Sequence, residues 1–146
     1  MSSRLGSSFL IALCGLVVGC GGPTYKLAKV AGQLTLDGKP VVGAKITFNP
    51  QGDKGIPEPG PMSFAVTDAD GNFRLETMAG DRGAVVGSHN VMVTTLKTKP
   101  HPSNPGQVVE VEPERAPLRY RTAPGYRIAV PADGLPELKI GMLTGE

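Results

Sequence analysis

Val30-Ala31-Gly32-Gln33-Leu34-Thr35-Leu36-Asp37-Gly38-Lys39-Pro40-Val41-Val42-Gly43-Ala44-Lys45-Ile46-Thr47-Phe48 is the stretch whose pattern decides the fold class. In its first arm Val30, Gly32, Leu34 and Leu36 alternate with Ala31, Gln33 and Thr35, the period of a half-buried strand. In its second arm Val42, Ala44, Ile46 and Phe48 share one side, and Lys45 and Thr47 take the other. Asp37-Gly38-Lys39-Pro40 joins them as a tight turn, with Gly38 supplying the positive φ a hairpin needs. Pro40 fixes its own φ just outside the strand and donates no hydrogen bond. Gly32 and Gly43 mark places where a facing strand or backbone comes close, because an internal strand glycine leaves room for one.

The same period recurs outward from this hairpin. Pro50 to Pro61 is a Gly/Pro-rich loop. Phe64 and Val66 open the next strand, and Asp68-Ala69-Asp70-Gly71-Asn72 turns the chain. Phe73 and Leu75 continue inward while Arg74 and Glu76 face water. Met78 to Gly87 reads as loop, and Ser88 to Leu96 as a strand with Val91 and Val93 on one face and Met92 on the other. Residues 97–125 form a long proline-rich insertion. Tyr126, Ile128 and Val130 alternate, as do Leu138, Ile140 and Met142. About seven short strands with turn signals between them predict an all-β sandwich. No run outside the N-terminal segment has helical periodicity.

That N-terminal segment has its own logic. Arg4 precedes an apolar run from Phe9 to Val18, too short to span a bilayer, and Leu16-Val17-Val18-Gly19-Cys20 has the shape of a bacterial lipobox. A thiol is nucleophilic enough to be alkylated by a lipid donor, and the small Gly19 lets a peptidase reach the bond before it. The expectation is a signal peptide over residues 1–19, a lipidated tether over 20–27 starting at Cys20, and a β-sandwich over 28–146. Such a protein is exported and held at the cell membrane or outer membrane by its lipid. Gly21 is not the aspartate that retains some lipoproteins at the inner membrane.

Composition narrows the function classes. Removing residues 1–19 from 146 leaves 127, the length of one domain with a modest core. Taking Arg4 from the 15 basic residues leaves 14 against 13 acidic, a balance of +1. Such a chain has no electrostatic footprint for nucleic acid. Cys14 lies in the signal segment, so Cys20 is the one cysteine of the mature chain and no internal disulfide can form. Gly (20) and Pro (14) make up nearly a quarter of the residues, but they fall between alternating apolar segments, as turns do in β domains.

The Val30–Phe48 run resembles the opening of the carboxypeptidase regulatory-like domain, a transthyretin-like sandwich. In that family a V-x-G-x-V-x-x-D-G-x-P-L-x-G-A-x-V-x-F run is followed by T-D-x-D-G-x-F-x-L, which stands here as Thr67-Asp68-Ala69-Asp70-Gly71-Asn72-Phe73-Arg74-Leu75. A third family piece, G-x-Y-x-V-x-V, corresponds to Gly87-Ser88-His89-Asn90-Val91-Met92-Val93, with His89 or Asn90 near the usual aromatic. The resemblance covers about residues 28 to 96. It implies a structural, binding or interaction role and carries over no catalytic residue.

Each candidate for chemistry in the chain also has a plainer role. Asp68-x-Asp70-Gly71-Asn72 looks superficially like a calcium loop. With Asp68 as position 1, however, Phe73 stands where the loop needs glycine and Ala79 where it needs glutamate, so a turn is expected and no metal. His89 is expected as a partly buried, hydrogen-bonded imidazole on a strand, and His101, between Pro100 and Pro102, as solvated. Two distant histidines make no zinc site. Ser88 and His89 are strand neighbours whose side chains point to opposite faces, so they form no nucleophile–base pair. No phosphate-binding or hydrolase motif is present, and no cofactor is implied.

Arg115, Arg119, Arg121 and Arg127 cluster with Tyr120 and Tyr126. Arg119, Tyr120, Arg121 and Tyr126 are therefore the candidate contacts for an envelope protein or an anionic polymer, since Arg and Tyr are favoured at interfaces. The plainer role is a loop wrapping the sandwich, with Leu118 and Tyr120 docked and the arginines solvated. Together these features predict a non-enzymatic, lipid-anchored envelope protein. The runner-up is a binding module for carbohydrate or another cell-wall polymer, against which the absence of Trp weighs.

Overall fold

A computed structural model describes residues 25–52 and 59–145. The segment expected as a signal peptide, Cys20 and the middle of the Pro50–Pro61 loop lie outside them. Along the described chain run β1 (Leu27–Ala28), β2 (Val30–Leu36), β3 (Lys39–Pro40), β4 (Lys45–Pro50), β5 (Ser63–Val66), β6 (Asn72–Arg74) and β7 (Glu76–Thr77). They are followed by β8 (Ala84–Val85), β9 (Gly87–Thr94), β10 (Lys97–His101), β11 (Asn104–Glu112), the single turn α1 (Leu118–Arg121), β12 (Tyr126–Val130) and β13 (Leu135–Met142).

Two sheets form the sandwich. One runs β12-β9-β4-β5-β7; the other runs β13-β2-β3, with β6 also paired to β2. The inner face of the first carries Ile46, Phe48, Ala65, Val91, Val93 and Val130, and the second supplies Val30, Leu34, Phe73, Ile140 and Met142, all buried in one core. Neighbouring inward positions stand two apart in sequence, as strand geometry demands. The strand pair β13–β2 is parallel while the remaining pairs are antiparallel.

The turns form as their residues dictate. Asp37 (φ 50) and Gly38 (φ 77) both adopt positive φ, so Leu36 faces Lys39 across a two-residue hairpin loop whose twist suits the strands. The Asp37 carboxylate also accepts hydrogen bonds from the Thr144 hydroxyl and the Thr144 N–H, which tie the end of β13 to this hairpin and hold Asp37 below the usual carboxylate range. In the second turn the Asp68 Oδ1 accepts the N–H of Asn72 (2.8 Å) and of Asp70 (2.9 Å). The backbone bond from Asn72 is the main reason its pKa lies low. The carboxylate caps its own turn, as the turn assignment expects.

Three expectations need correction. Strands are shorter and more numerous than about seven, because several are two-residue pairings and because residues 97–125 are not a structureless insertion. The β10–β11 hairpin projects from that stretch as a separate two-stranded sheet. Val108-Val109-Glu110-Val111-Glu112 has the strand period, but the flanking Pro100, Pro102 and Pro105 obscured it; Pro100 is tolerated because it lies in a two-stranded ribbon with a free edge. Second, the phase of β5 is reversed. Ser63 and Ala65 point inward and Val66 is 62% exposed, since pairing places Ser63 opposite Phe48 and Ala65 opposite Ile46. Those large side chains fill the layer, and small partners fit beneath them. Third, Val41 rather than Val42 is buried, because Gly43 at φ 69 breaks the alternation before β4 begins.

Candidate functional site

Pro117 leads into α1, where the Tyr120 N–H bonds the Pro117 carbonyl at 3.0 Å and the Thr122 hydroxyl donates to the Leu118 carbonyl at 3.1 Å. One turn is too short to leave a periodic signal in sequence, so the absence of helix expected outside the N-terminal segment is corrected at these four residues. Tyr120 is buried, and its hydroxyl donates to the Gly141 carbonyl of β13 at 3.1 Å. Its ring lies 4.9 Å from that of Tyr126, tilted by 49°, a favourable aromatic arrangement. Arg119 lies over both rings, its guanidinium carbon 5.1 Å from the Tyr120 centroid and 5.8 Å from the Tyr126 centroid. This trio closes the side of the sandwich near β12 and β13.

The arginines fall on more than one surface, although Arg121 and Arg127 both lie on the outer face of the five-stranded sheet. Arg121 faces a cavity of about 510 Å³ on the outer face of the five-stranded sheet, with Lys45, Met62, Met92, Thr94 and Glu114. Arg115 borders a smaller one of about 200 Å³ beside Asp37, Lys39 and Pro40. Arg127 stands exposed on β12, opposite Asn90. Tyr120 serves the core and offers no surface ring, which corrects its candidacy as a surface contact. Leu118, expected to dock, is 60% exposed. Arg119, Tyr120 and Tyr126 come together; Arg121 belongs to a different surface.

Sequence reasoning missed Glu114. Its carboxylate accepts the hydroxyls of Thr94 and Thr95 and the N–H groups of Thr95 and Ala116, the last two each at 2.9 Å. Burial pushes this carboxyl up, but the bonds from Thr94, Thr95 and Ala116 outweigh it and hold the pKa at about 2. The partners Thr94 and Thr95 lie 19 to 20 residues away in sequence, so no local pattern announces the contact.

His89 is fully buried beside Phe48, their ring centroids 5.5 Å apart. Its Nε2 donates to the Val85 carbonyl at 2.7 Å, while Nδ1 is buried without a partner among the described residues. Ser88, its neighbour, is exposed on the opposite face. Burial holds the imidazole below its ordinary 6.5, and the bond to Val85 only partly offsets that. A folded pKa below the unfolded one means the unfolded chain binds the proton first. Stability is therefore full above about pH 6.5 and declines as pH falls below it. Melting curves between pH 8 and pH 5 should show that slope, and His89→Gln, which does not titrate, should flatten it.

Among the described residues no group of three or more His, Cys, Asp and Glu is placed to hold a metal, and no helix is long and apolar enough to cross a membrane. No family model matches the chain, and no curated protein matches it. Among solved structures, a 9R-lipoxygenase from Cyanothece PCC8801 aligns with 81% of this chain at 17% identity and a TM-score of 0.43. The chain spans 16% of that protein. Similarity at this level assigns neither activity nor ligand.

Proposed function

We propose that this is a lipid-anchored cell-envelope protein whose β-sandwich has a structural or protein-interaction role and no chemistry of its own. The observation that carries the reading is the Leu16-Val17-Val18-Gly19-Cys20 run behind an apolar segment and Arg4. It places a nucleophilic thiol directly after a small residue, as lipid transfer and cleavage require. The first described strand starts at Leu27, seven positions after Cys20, so the anchor would hold the domain close to the bilayer surface.

The domain's own residues support the non-catalytic half. Glu114, Asp37 and Asp68 spend their oxygens on the fold, and His89 is shut inside it away from Ser88. The two runs that resemble the carboxypeptidase regulatory-like domain form the β2–β4 and β6 regions of the sandwich, where they serve as strands and turns.

Fractionation tests the anchor. Wild-type protein made in a bacterial host should sediment with membranes and be released by detergent but not by high salt, because acyl chains bury apolar methylenes at about 0.8 kcal/mol each. Cys20→Ser should not mature. Equal partitioning of both forms into the soluble fraction would defeat the proposal.

A further inference from the structure

We propose that the groove on the outer surface where β13, β2, β6 and β5 meet binds a neutral oligosaccharide. Its volume is about 940 Å³, within the range of ligand sites. The pairing registers build its floor: Lys139 lies opposite Gln33 and Gln33 opposite Asn72, so three polar side chains form a row across three strands. Arg74, opposite Ala31, belongs to the next row. Side chains in a row stand about 4.8 Å apart and successive rows about 6.8 Å apart.

The groups in the groove suit polyol chemistry. Gln33 is held in place, its Nε2 donating to the Asp70 carbonyl at 2.9 Å and its Oε1 accepting from the Lys139 ammonium at 3.4 Å. Asn72 donates one amide hydrogen to Asp68 at 3.5 Å, leaving its second donor and its carbonyl oxygen. Arg74, Glu76 and Glu137 line the groove and make no side-chain hydrogen bond or ion pair among the described residues. The groove thus offers planar donors and acceptors together, which is what a hydroxyl, being both, can satisfy. Basic Arg74 and Lys139 are mixed with acidic Asp68, Glu76 and Glu137, so no strong field of one sign selects an ion. The half-buried Phe64 ring stands at the wall, with the Lys45 ammonium 5.9 Å from its centroid on one side, and its other face can meet the C–H face of a sugar.

The site does not involve Cys20, and its test is separate from that of the anchor. The full chain, in a zwitterionic detergent that contains no sugar, is titrated with cellohexaose, chitohexaose and maltohexaose and followed by calorimetry and saturation-transfer NMR. At least one hexaose should bind saturably. Arg74→Ala and Glu137→Ala, both at exposed positions, should each weaken that binding about tenfold while circular dichroism stays unchanged. Lys99→Ala, on the distant hairpin, should leave it as it was. Absence of saturable binding to all three sugars, or binding that survives both groove variants, overturns the proposal, and neither result touches the membrane partition of the anchored chain.

Discussion

Gly32→Val should prevent the sandwich from forming. A Cβ at this position would lie 2.0 Å from the carbonyl oxygen of Leu138 and 2.8 Å from its carbonyl carbon. Both are backbone atoms and cannot swing aside. The cause is the register shift of β13 between Leu135 and Leu138, which brings the Leu138 peptide over Gly32 where β2 and β13 pair in parallel. Gly32 also faces Phe73 on its other side, so moving β2 away from β13 presses on β6. The expected loss is about 4 kcal/mol or more, the exceptional range for one substitution and a large part of a small domain's stability. Gly32→Ala brings the same Cβ against the same backbone atoms and should already lose about 3 kcal/mol or more. Gly106→Ala on the β10–β11 hairpin is the control: its Cβ meets only Asn104 Oδ1, at 3.9 Å, and it should stay within about 0.5 kcal/mol of wild type. Urea melts of the three variants check the order.

Glu114→Ala should be the second most damaging change. The chain returns from the hairpin to the sandwich at Glu114, and that return is held by a charged acceptor serving four donors. Thr95 is buried, so deleting the carboxylate strands its N–H, while its hydroxyl keeps only its contact with the Arg115 N–H at 2.6 Å. Hydrogen bonds to charged groups contribute about 1.5–3 kcal/mol and orphaned buried donors cost comparable amounts, so a net loss of about 3 kcal/mol is expected. Glu114→Gln, which keeps one acceptor oxygen, should lose about half of that. The acid limb carries a signature. Because the folded pKa of about 2 lies below the free value of 4.5, the carboxylate's contribution is complete above pH 4.5 and is lost as pH falls toward 2. Removing Glu114 should flatten the stability profile in that window, whereas the His89 slope begins near pH 6.5 and should survive.

How much of this was legible in the sequence follows from where each residue's partners lie. The Val30–Phe48 hairpin could be read because its information is local: alternation sets the strands, and Asp37-Gly38 can take the paired positive φ the loop requires. The inward set Phe73, Leu75, Val91 and Val93, and the room demanded at Gly32, followed from the same local rules. The phase of β5 did not, because Ser63 and Ala65 are chosen by Phe48 and Ile46 across the sheet, against the hydrophobicity of Phe64 and Val66. The β10–β11 hairpin was hidden by its prolines, which a free edge tolerates and a central strand would not. At the candidate site, adjacency in sequence misled. Arg119 and Arg121 are two residues apart on one helical turn and serve different surfaces, while Tyr120 closes the core. The sugar groove takes polar side chains from four separated strands, none of which forms a motif by itself.

The most direct test of the account is the intact mass of the protein recovered from bacterial membranes, with the N-terminal peptide sequenced by fragmentation. The expected products are a wild-type chain that has lost residues 1–19, begins at Cys20 and carries lipid on that residue, and a Cys20→Ser chain that keeps its N-terminal segment. A wild-type chain of unmodified mass at Cys20, or one cleaved identically with serine in its place, would contradict the anchor and leave a β-sandwich with no tie to the membrane.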